Sequence, residues 1–363
     1  MTRSKLAPAW RRRARAAALL LPPLMAAAFL TLTGVSVAQT PARAAPATAS
    51  RPASPAEKFT FITNWFAQAE HGGFYQAQAT GLYRDAGLDV TIRMGGPQVN
   101  SLQLMAAGQA DCIMGFDVQT LSAWEQGIEA VTVAAAFQKD AIVMVGHPGV
   151  VNRLEDLKGK TLLLATPAYS TFWPWLKSTY KLDDAVTRPY TFNNQAFLAD
   201  KNAVQQGYLT SEPFSIEKEG GFKPAVFLLA DFGWPPYSTT IVCMAKTVRE
   251  RERAVAAFVR ASMLGWKSYL QGAPAAIAAA NALIRKDNPQ MSDDRIAHAI
   301  GLLKSTGMVM GGDAAKLGIG VITDERMKRT YDMLVAQKLL DAKKVELSKT
   351  YTTRFVRDLR VMP

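Results

Sequence analysis

A nucleophilic triad needs a base, usually a histidine, and the 363-residue chain contains three histidines, His71, His147 and His298. His298 lies within the helical pattern DDRIAHAIGLL, and His147 stands at the end of a predicted strand. Both positions are typical of structural histidines. His71 is in a more suggestive place, since it precedes two glycines in NWFAQAEHGGFY.

Catalytic motifs are absent from the sequence. It contains no G-x-S-x-G, no G-x-x-x-x-G-K-[ST] and no G-x-G-x-x-G, which are the patterns of a nucleophile elbow, a phosphate-binding loop and a dinucleotide site. Cysteine and histidine are not spaced as metal ligands. We therefore predict that the protein is not an enzyme and uses no metal or cofactor.

The two cysteines, Cys112 and Cys243, lie inside the apolar runs ADCIMGF and TTIVCMA. Cysteines in such surroundings are usually small buried core residues. The sequence therefore favours two buried side chains over a disulfide, and it leaves open whether both thiols are free.

Residues suited to ligand binding follow the first predicted strand, FTFITNW. The chain turns at Asn64, Trp65 and Phe66, and a helix begins near Gly72 or Gly73. Ligands of open α/β sheets bind beyond the carboxyl ends of the strands. Glycines at a helix start would let a ligand approach backbone N–H groups, and the two aromatic rings would offer a flat apolar face. Alternatively, the rings belong to the core and the glycines only turn the chain.

Similar polar and aromatic residues follow other predicted strands. They are Phe116 and Asp117, Phe137 to Lys139, Ser170, Thr171 and Trp173, Glu212, and Asp231, Trp234 and Tyr237. Because several strand ends carry such residues, we expect some of them to converge on one binding site.

Short apolar runs alternate with helical patterns from Lys58 to about residue 140, and a second alternating set continues to residue 246. In this second set the segment NNQAFLADKNAVQQG is predicted as a helix and YLTSEPF as a strand. Alternation of this kind indicates right-handed βαβ units and an α/β fold with mostly parallel sheets. Beyond residue 246, apolar residues recur at spacings of three and four, which predicts helices.

The amino-terminal segment has the plan of a secretory signal peptide over residues 1–38. Six basic groups and no acid precede an apolar run and then small residues. Half of the formal net charge of +12 therefore belongs to this segment, not to a nucleic-acid surface. Residues 39–57 are rich in Ala, Pro and Ser, which predicts a disordered leader. A transmembrane anchor and a twin-arginine signal are the alternatives.

Four segments, NWFAQAEHGGFYQAQATGLYRDAGLDVTI, GGPQVNSLQLMAAGQADCIMGF, LEDLKGKTLLLAT and GYLTSEPF, resemble the solute-binding proteins of bacterial ABC importers. The resemblance is to the branch related to thiamine-pyrimidine synthesis and uptake. It implies a two-lobed type II periplasmic binding fold, with mostly parallel sheets, flanking helices and a ligand cleft between lobes that hinge shut. Residues 58–140 would form the first part of lobe 1, 141–246 lobe 2, and 247–363 the return to lobe 1 with the C-terminal helices.

The resemblance also implies ligand-binding positions on both lobes. The positions carried over are Asn64, Trp65, His71, Phe116, Asp117, Ser170, Thr171, Trp173 and Glu212. Gly72, Trp234 and Tyr237 join them from the strand-end pattern. Stacking on tryptophan, with Asp117 or Glu212 accepting from an exocyclic amine, would suit an aminopyrimidine.

The expected function is therefore capture of a small heteroaromatic ligand, such as a thiamine pyrimidine precursor, by an exported periplasmic monomer that delivers it to an inner-membrane ABC permease. Riboflavin is an alternative ligand. A sulfonate or nitrate is another, although such anions prefer arginine and Lys139 is the only cation in the candidate loops. Two further alternatives are a pyrimidine-synthesising enzyme of the same fold, whose yeast type has a cysteine-rich motif that this chain lacks, and a ligand-sensing subunit of a membrane receptor.

Overall fold

The structure is a computed structural model that describes residues 55–363. The predicted signal peptide and most of the predicted leader lie outside the described residues. The first strand begins at Glu57, next to the predicted start of the folded part at Lys58.

Ten strands form two five-stranded sheets in this part of the chain. The strands are Glu57–Ile62 (β1), Leu88–Arg93 (β2), Cys112–Gly115 (β3), Ala130–Phe137 (β4), Ile142–Gly146 (β5), Thr161–Leu164 (β6), Thr187–Pro189 (β7), Ala203–Tyr208 (β8), Ala225–Leu228 (β9) and Ser238–Met244 (β10). The first sheet has the order β2-β1-β3-β10-β4 and the second the order β7-β6-β8-β5-β9.

Both sheets are mixed, with one strand in each running against the other four. In the first sheet β10 is antiparallel to β3 and β4, and in the second β5 is antiparallel to β8 and β9. The expectation of an α/β fold with mostly parallel strands is thereby confirmed. The chain leaves the first sheet after Phe137 and returns to it at Ser238.

Thirteen α-helices flank the sheets within the described residues. They are Gly72–Ala79 (α1), Leu82–Asp85 (α2), Ser101–Ala106 (α3), Asp117–Glu125 (α4), Phe172–Tyr180 (α5), Gln195–Ala199 (α6), Glu212–Gly220 (α7), Ala245–Glu250 (α8), Glu252–Gln271 (α9), Pro274–Asp287 (α10), Asp293–Ser305 (α11), Ala314–Leu317 (α12) and Asp324–Ala336 (α13). None of these helices is both long and apolar enough to cross a membrane.

Local sequence explains the most regular elements. Every residue of β4, AVTVAAAF, is buried, as expected for a strand covered on both faces. Helix α9 buries residues at spacings of three and four, among them Val255, Phe258 and Trp266. The predicted start of α13 is confirmed, since the Thr323 side chain accepts a hydrogen bond from the Arg326 backbone N–H.

The helix predicted over NNQAFLADKNAVQQG is wrong. Only Gln195–Ala199 is helical, and Ala203–Tyr208 forms β8 between β6 and β5. Because residues 203–207 are all buried in the sheet, tertiary packing outweighs their mediocre strand propensity. The predicted strand YLTSEPF is also wrong, since only its first residue belongs to β8 and Glu212 begins α7.

The paired glycines of the His-Gly-Gly step let α1 pack closely on α9. A Cβ atom at Gly72 would lie 2.0 Å from the Tyr269 ring, and one at Gly73 would lie 2.2 Å from the Trp266 ring. These positions therefore serve helix packing, because the side of each glycine where a Cβ atom would stand faces an aromatic ring of α9.

Gly73→Ala is expected to lower the free energy of unfolding by about 1–3 kcal/mol, because the added methyl group overlaps the buried Trp266 ring. Gly301→Ala is the matched control, since Gly301 lies inside α11 with no atom near the position of a Cβ. That variant should be neutral or more stable by up to about 1 kcal/mol. Urea unfolding of the two variants measures both effects, and equal stability would contradict the packing role.

The expectation of two unlinked cysteines is wrong, because a disulfide joins Cys112 and Cys243. The two apolar runs become neighbouring antiparallel strands, β3 and β10, in which the two residues lie directly opposite each other with Cα atoms 4.2 Å apart. A separation of 131 residues in the sequence gives no sign of this pairing. It follows from the return of the chain to the first sheet.

Candidate ligand-binding site

A small cavity lies where the two sheets face each other. It encloses about 30 Å³, which is room for one or two water molecules. Its walls are formed by Asn64, Trp65, Gln68, Phe116, Ile142, Pro167, Ala168, Thr171, Phe172, Gln206, Gly207, Tyr208 and Glu212. An aromatic ring is larger than this volume. A ligand of that size therefore requires the two halves of the molecule, each built around one of the sheets, to move apart.

The cavity is built from the carboxyl ends of strands in both sheets. Residues 64–68 follow β1 and Phe116 follows β3, both in the first sheet. Residues 167–172 follow β6, and residues 206–212 lie at the end of β8 and the start of α7. This is the edge at which open α/β sheets bind ligands, and here two such edges oppose each other.

Aromatic rings form one side of this region. The Trp65 ring stacks on Tyr190 with ring centres 6.1 Å apart and planes inclined by 20°. The Phe192 ring meets Trp65 edge to face at 6.2 Å. Trp65 comes from the first sheet and the other two rings follow β7 in the second, so the contact spans the gap between the sheets.

Polar groups face the same cavity, led by Glu212. Its Oε1 accepts a hydrogen bond from the Tyr190 hydroxyl at 3.0 Å, and its Oε2 accepts one from the Tyr208 backbone N–H at 2.7 Å. Burial raises the pKa of this carboxyl. On the opposite wall, Asn64 Oδ1 and Gln68 Oε1 are buried and have no partner within residues 55–363.

Direct hydrogen bonds also connect the two sides. The Thr166 backbone N–H donates to the Pro97 carbonyl at 3.1 Å, and Gln119 Nε2 donates to Ser170 Oγ at 3.2 Å. Ser170 lines a second small cavity beside the first, together with Asn64 and Phe116. The region between the sheets is therefore held in a closed arrangement by contacts from both sides.

Six of the twelve predicted site residues come together here. Asn64, Trp65, Phe116, Thr171 and Glu212 line the main cavity, and Ser170 lines the adjoining one. They come from four different strand ends that are far apart in the sequence. That these residues bind ligand remains a prediction.

His71 and Gly72 lie deeper in the first half, outside the lining of the cavity. His71 is completely buried, and neither ring nitrogen has a hydrogen-bond partner among the described residues. Burial lowers the pKa of this imidazole to about 3, so the ring is neutral at physiological pH.

Asp117 and Tyr237 connect helices and strands away from the cavity. Asp117 Oδ2 accepts hydrogen bonds from the Thr330 hydroxyl at 2.9 Å and from the Tyr237 backbone N–H at 3.3 Å. The Tyr237 hydroxyl accepts one from the Thr323 backbone N–H at 3.2 Å. Burial raises the pKa of Asp117 to about 7, against the effect of these hydrogen bonds.

Trp173 and Trp234 also lie elsewhere in the structure. Trp173 Nε1 donates to Asp184 at 2.8 Å beside a groove along α5. Trp234 Nε1 donates to Asp140 at 2.7 Å. This hydrogen bond connects the two segments by which the chain passes between the sheets, from β4 to β5 and from β9 to β10. In this arrangement neither indole contributes a wall to the cavity.

Several lining residues escaped the sequence analysis. They include Gln68, Phe172, Gln206 and Tyr208. Gln206 lies in the part of β8 that the sequence predicted as a helix, so its proximity to a strand end was hidden. Tyr208 was predicted as the first residue of the strand YLTSEPF, whereas it is the last residue of β8. Gln68 and Phe172 could have been predicted, because they lie close in the sequence to Trp65 and Thr171, which were chosen because they follow predicted strands.

Charge distinguishes this cavity. Its lining, as far as the described residues go, contains one carboxyl and no lysine or arginine. Within residues 55–363, no group of three or more His, Cys, Asp or Glu side chains is placed to hold a metal ion. The cavity can therefore contact a ligand through aromatic rings and through hydrogen-bond acceptors on amide and carboxyl groups.

Two solved structures share this architecture. The ligand-binding component of an ABC-type import system from Staphylococcus aureus, solved with zinc bound, gives a TM-score of 0.58 at 9% identity and covers 84% of this chain and 99% of that one. The alkanesulfonate-binding protein SsuA from Xanthomonas axonopodis pv. citri, bound to MOPS, gives 0.57 at 15%, with 84% and 99% covered.

The protein therefore has the periplasmic binding protein fold, the architecture of ligand-binding components of ABC importers. Residues 68–276 match the family described as NMT1/THI5 like. Because this match covers more than half of the sequence, the chain belongs to that family.

A curated relative overturns one expectation. The 4-amino-5-hydroxymethyl-2-methylpyrimidine phosphate synthase of Aspergillus parasiticus is 26% identical over 110 residues, which are 29% of this chain and 32% of the relative. The chain spans about a third of the length of the curated relatives that it matches. Since these relatives are named as enzymes, the prediction of a non-enzymatic protein, which rested on missing motifs, is wrong.

Proposed function

We propose that the protein is the exported solute-binding component of an ABC importer and captures a small heteroaromatic ligand, such as a thiamine pyrimidine precursor, between its two halves. The observation that carries the proposal is the cavity itself. It brings Trp65, Phe116 and Phe172 together with Glu212 and the unpartnered amide oxygens of Asn64 and Gln68. Flat rings bearing N–H donors match this combination.

The charge of the lining supports a nitrogen heterocycle over the anionic alternatives. A sulfonate or nitrate needs arginine, lysine or several N–H donors, whereas the described lining has a carboxyl and orphaned acceptors. Riboflavin remains a second heteroaromatic candidate. It is the larger ligand, so it requires a wider opening of the two halves.

Export to the periplasm and delivery to an inner-membrane permease belong to the same proposal. Two observations support it: the fold is that of import-system binding components, and Cys112 and Cys243 form a disulfide. Disulfides persist in oxidising compartments such as the bacterial periplasm. Closure of the halves on a ligand would then provide the state that the permease recognises.

Thermal unfolding of the purified protein with a ligand panel tests the proposal. The panel holds 4-amino-5-hydroxymethyl-2-methylpyrimidine, thiamine, riboflavin, an alkanesulfonate and nitrate. A ligand at a hundred times its dissociation constant stabilises the folded state by about 2.7 kcal/mol, which raises the melting temperature by several degrees. We expect that shift with the aminopyrimidine and none with nitrate. A shift with the sulfonate alone would refute the heteroaromatic assignment.

A second candidate is the pyrimidine phosphate synthase activity for which curated relatives are named. His71, buried with two unpartnered ring nitrogens, is the observation that favours it, because the synthases that this sequence resembles use an active-site histidine. The iron that such chemistry uses does not fit the described residues in this arrangement, since they offer no clustered ligand set, so we derive no step through it. Mass spectrometry after incubation with pyridoxal phosphate and iron tests the candidate: a pyrimidine product or a modified His71 supports it, and an intact His71 without product refutes it.

A further inference from the structure

A second acidic side chain, Glu70, lies two residues beyond Gln68, which lines the cavity, and has one oxygen without a hydrogen-bond partner among the described residues. It lies in the 3-10 turn Ala69–His71 before α1 and is completely buried. Its Oε1 accepts a hydrogen bond from the Thr210 hydroxyl, while its Oε2 has no partner within residues 55–363. A buried carboxyl oxygen without a donor is costly, so this position lacks a partner that a ligand could supply.

Glu70 and Glu212 form an acidic pair across the gap between the sheets. Thr210, which holds Glu70, is two residues from Glu212 in the turn from β8 into α7. Glu212 lines the cavity, and the two carboxyls are close enough to raise the pKa of Glu70 by charge repulsion. The turn from β8 into α7 thus carries Glu212 in the cavity wall and, through Thr210, contacts Glu70 from the first half of the chain.

Positive charge around this pair is scarce. The titratable groups that face Glu70 from the surrounding elements are Glu212, Arg295, Tyr208, Tyr269 and the adjacent His71. His71 is neutral, and burial raises the pKa of both tyrosines. Among these residues, Arg295 on α11 is the positively charged one. Its charge lowers the pKa of both Glu70 and Glu212.

We infer that Glu70 and Glu212 make the cavity selective for a positively charged heterocyclic amine, whose ammonium group donates to the unpartnered oxygen of Glu70, and that binding of this amine releases a proton from the pair. The inference rests on the proposed function for the heteroaromatic part of the ligand. It adds the charge of that ligand and assigns Glu70 as a specificity-determining residue, which the sequence analysis did not single out.

The direction of the pH dependence follows from burial. Burial is the main cause that raises the pKa of Glu70 from 4.5 to about 7, so the free protein holds a proton there up to neutral pH. A cation bound beside the carboxyl lowers its pKa and expels that proton. Affinity for the cation should therefore rise with pH up to about 7 and level off above it.

Calorimetric titration with two pyrimidines that differ in one group tests the inference. The probes are 4-amino-5-aminomethyl-2-methylpyrimidine, a cation at neutral pH, and its neutral 5-hydroxymethyl analogue. We expect the cation to bind at least about tenfold more tightly, as charge-assisted hydrogen bonds in buried sites do. Titrations in two buffers of different ionisation enthalpy at pH 7 should show proton release with the cation and none with the analogue.

Glu70→Gln is the decisive variant, because it removes the charge and keeps an acceptor for Thr210. It should bring the two affinities together and abolish proton release. Glu217→Gln, at an exposed position on α7, changes the net charge equally and should alter neither. Thr210→Val keeps the acid but removes its hydrogen bond, so it should move the pH profile upward; it carries the test if Glu70→Gln does not fold.

Benzylamine and benzyl alcohol form a second probe pair that lacks the pyrimidine ring. Preference for benzylamine with proton release, while both pyrimidines fail to bind, would support the acidic pair and refute the pyrimidine ligand. Equal affinity of wild-type protein for the two pyrimidines would refute the role of Glu70 and leave the proposed function standing. Binding of none of the four probes would overturn both.

Discussion

Replacing Cys112 and Cys243 with alanine is expected to lower the free energy of unfolding by about 4 kcal/mol, because the disulfide closes a loop of more than a hundred residues in the unfolded chain. The bridge joins β3 to β10, the strand by which the chain returns from the second sheet. Urea unfolding of the double variant and the wild type measures the difference.

The wild type with its disulfide reduced provides the control. It should unfold at the same urea concentration as the double variant, and adding reductant to that variant should change nothing. Oxidised and reduced wild type that unfold together would contradict the prediction. Because Phe116 lies one residue beyond β3, the reduced protein also reveals whether the bridge steadies the cavity wall.

Most of the fold could be predicted because its signals are local. Apolar runs separated by helical patterns gave the strands from residue 57 to residue 137 nearly in place, and the cap at Thr323 marked the start of α13. Strand β8 could not be predicted, because the composition of the segment FLADKNAVQQG suits a helix, and only the position of β8 between β6 and β5 makes it a strand. The disulfide was hidden for a related reason, since the pairing of β3 with β10 depends on the whole topology.

The candidate site was predictable only as far as strand ends could be recognised. Asn64, Trp65 and Phe116 follow strands that the sequence shows clearly, and all three line the cavity. Trp234 also follows a strand, yet its indole turns to Asp140 in the crossing segments. Side-chain direction at a strand end depends on neighbours that the sequence does not reveal.

Trp65→Ala is expected to weaken binding of the preferred heteroaromatic ligand by about 2 kcal/mol, roughly thirtyfold, because the indole is the largest ring on the cavity wall. Removing it also breaks the stacking with Tyr190 across the gap between the sheets. Part of the loss therefore reflects a less favourable closed state. Calorimetric titration of folded variant and wild type with the same ligand gives the ratio of dissociation constants.

Two comparison variants separate ring contact from general damage. Trp65→Phe keeps an aromatic face and should recover most of the affinity, because stacking needs a ring more than an indole nitrogen. Trp173→Phe alters the tryptophan that the family resemblance also placed in the site but that lies beside α5, hydrogen-bonded to Asp184. It should leave affinity unchanged. Loss of affinity in Trp173→Phe with none in Trp65→Ala would mean that the ligand binds beside α5, and that the cavity between the sheets belongs only to closure.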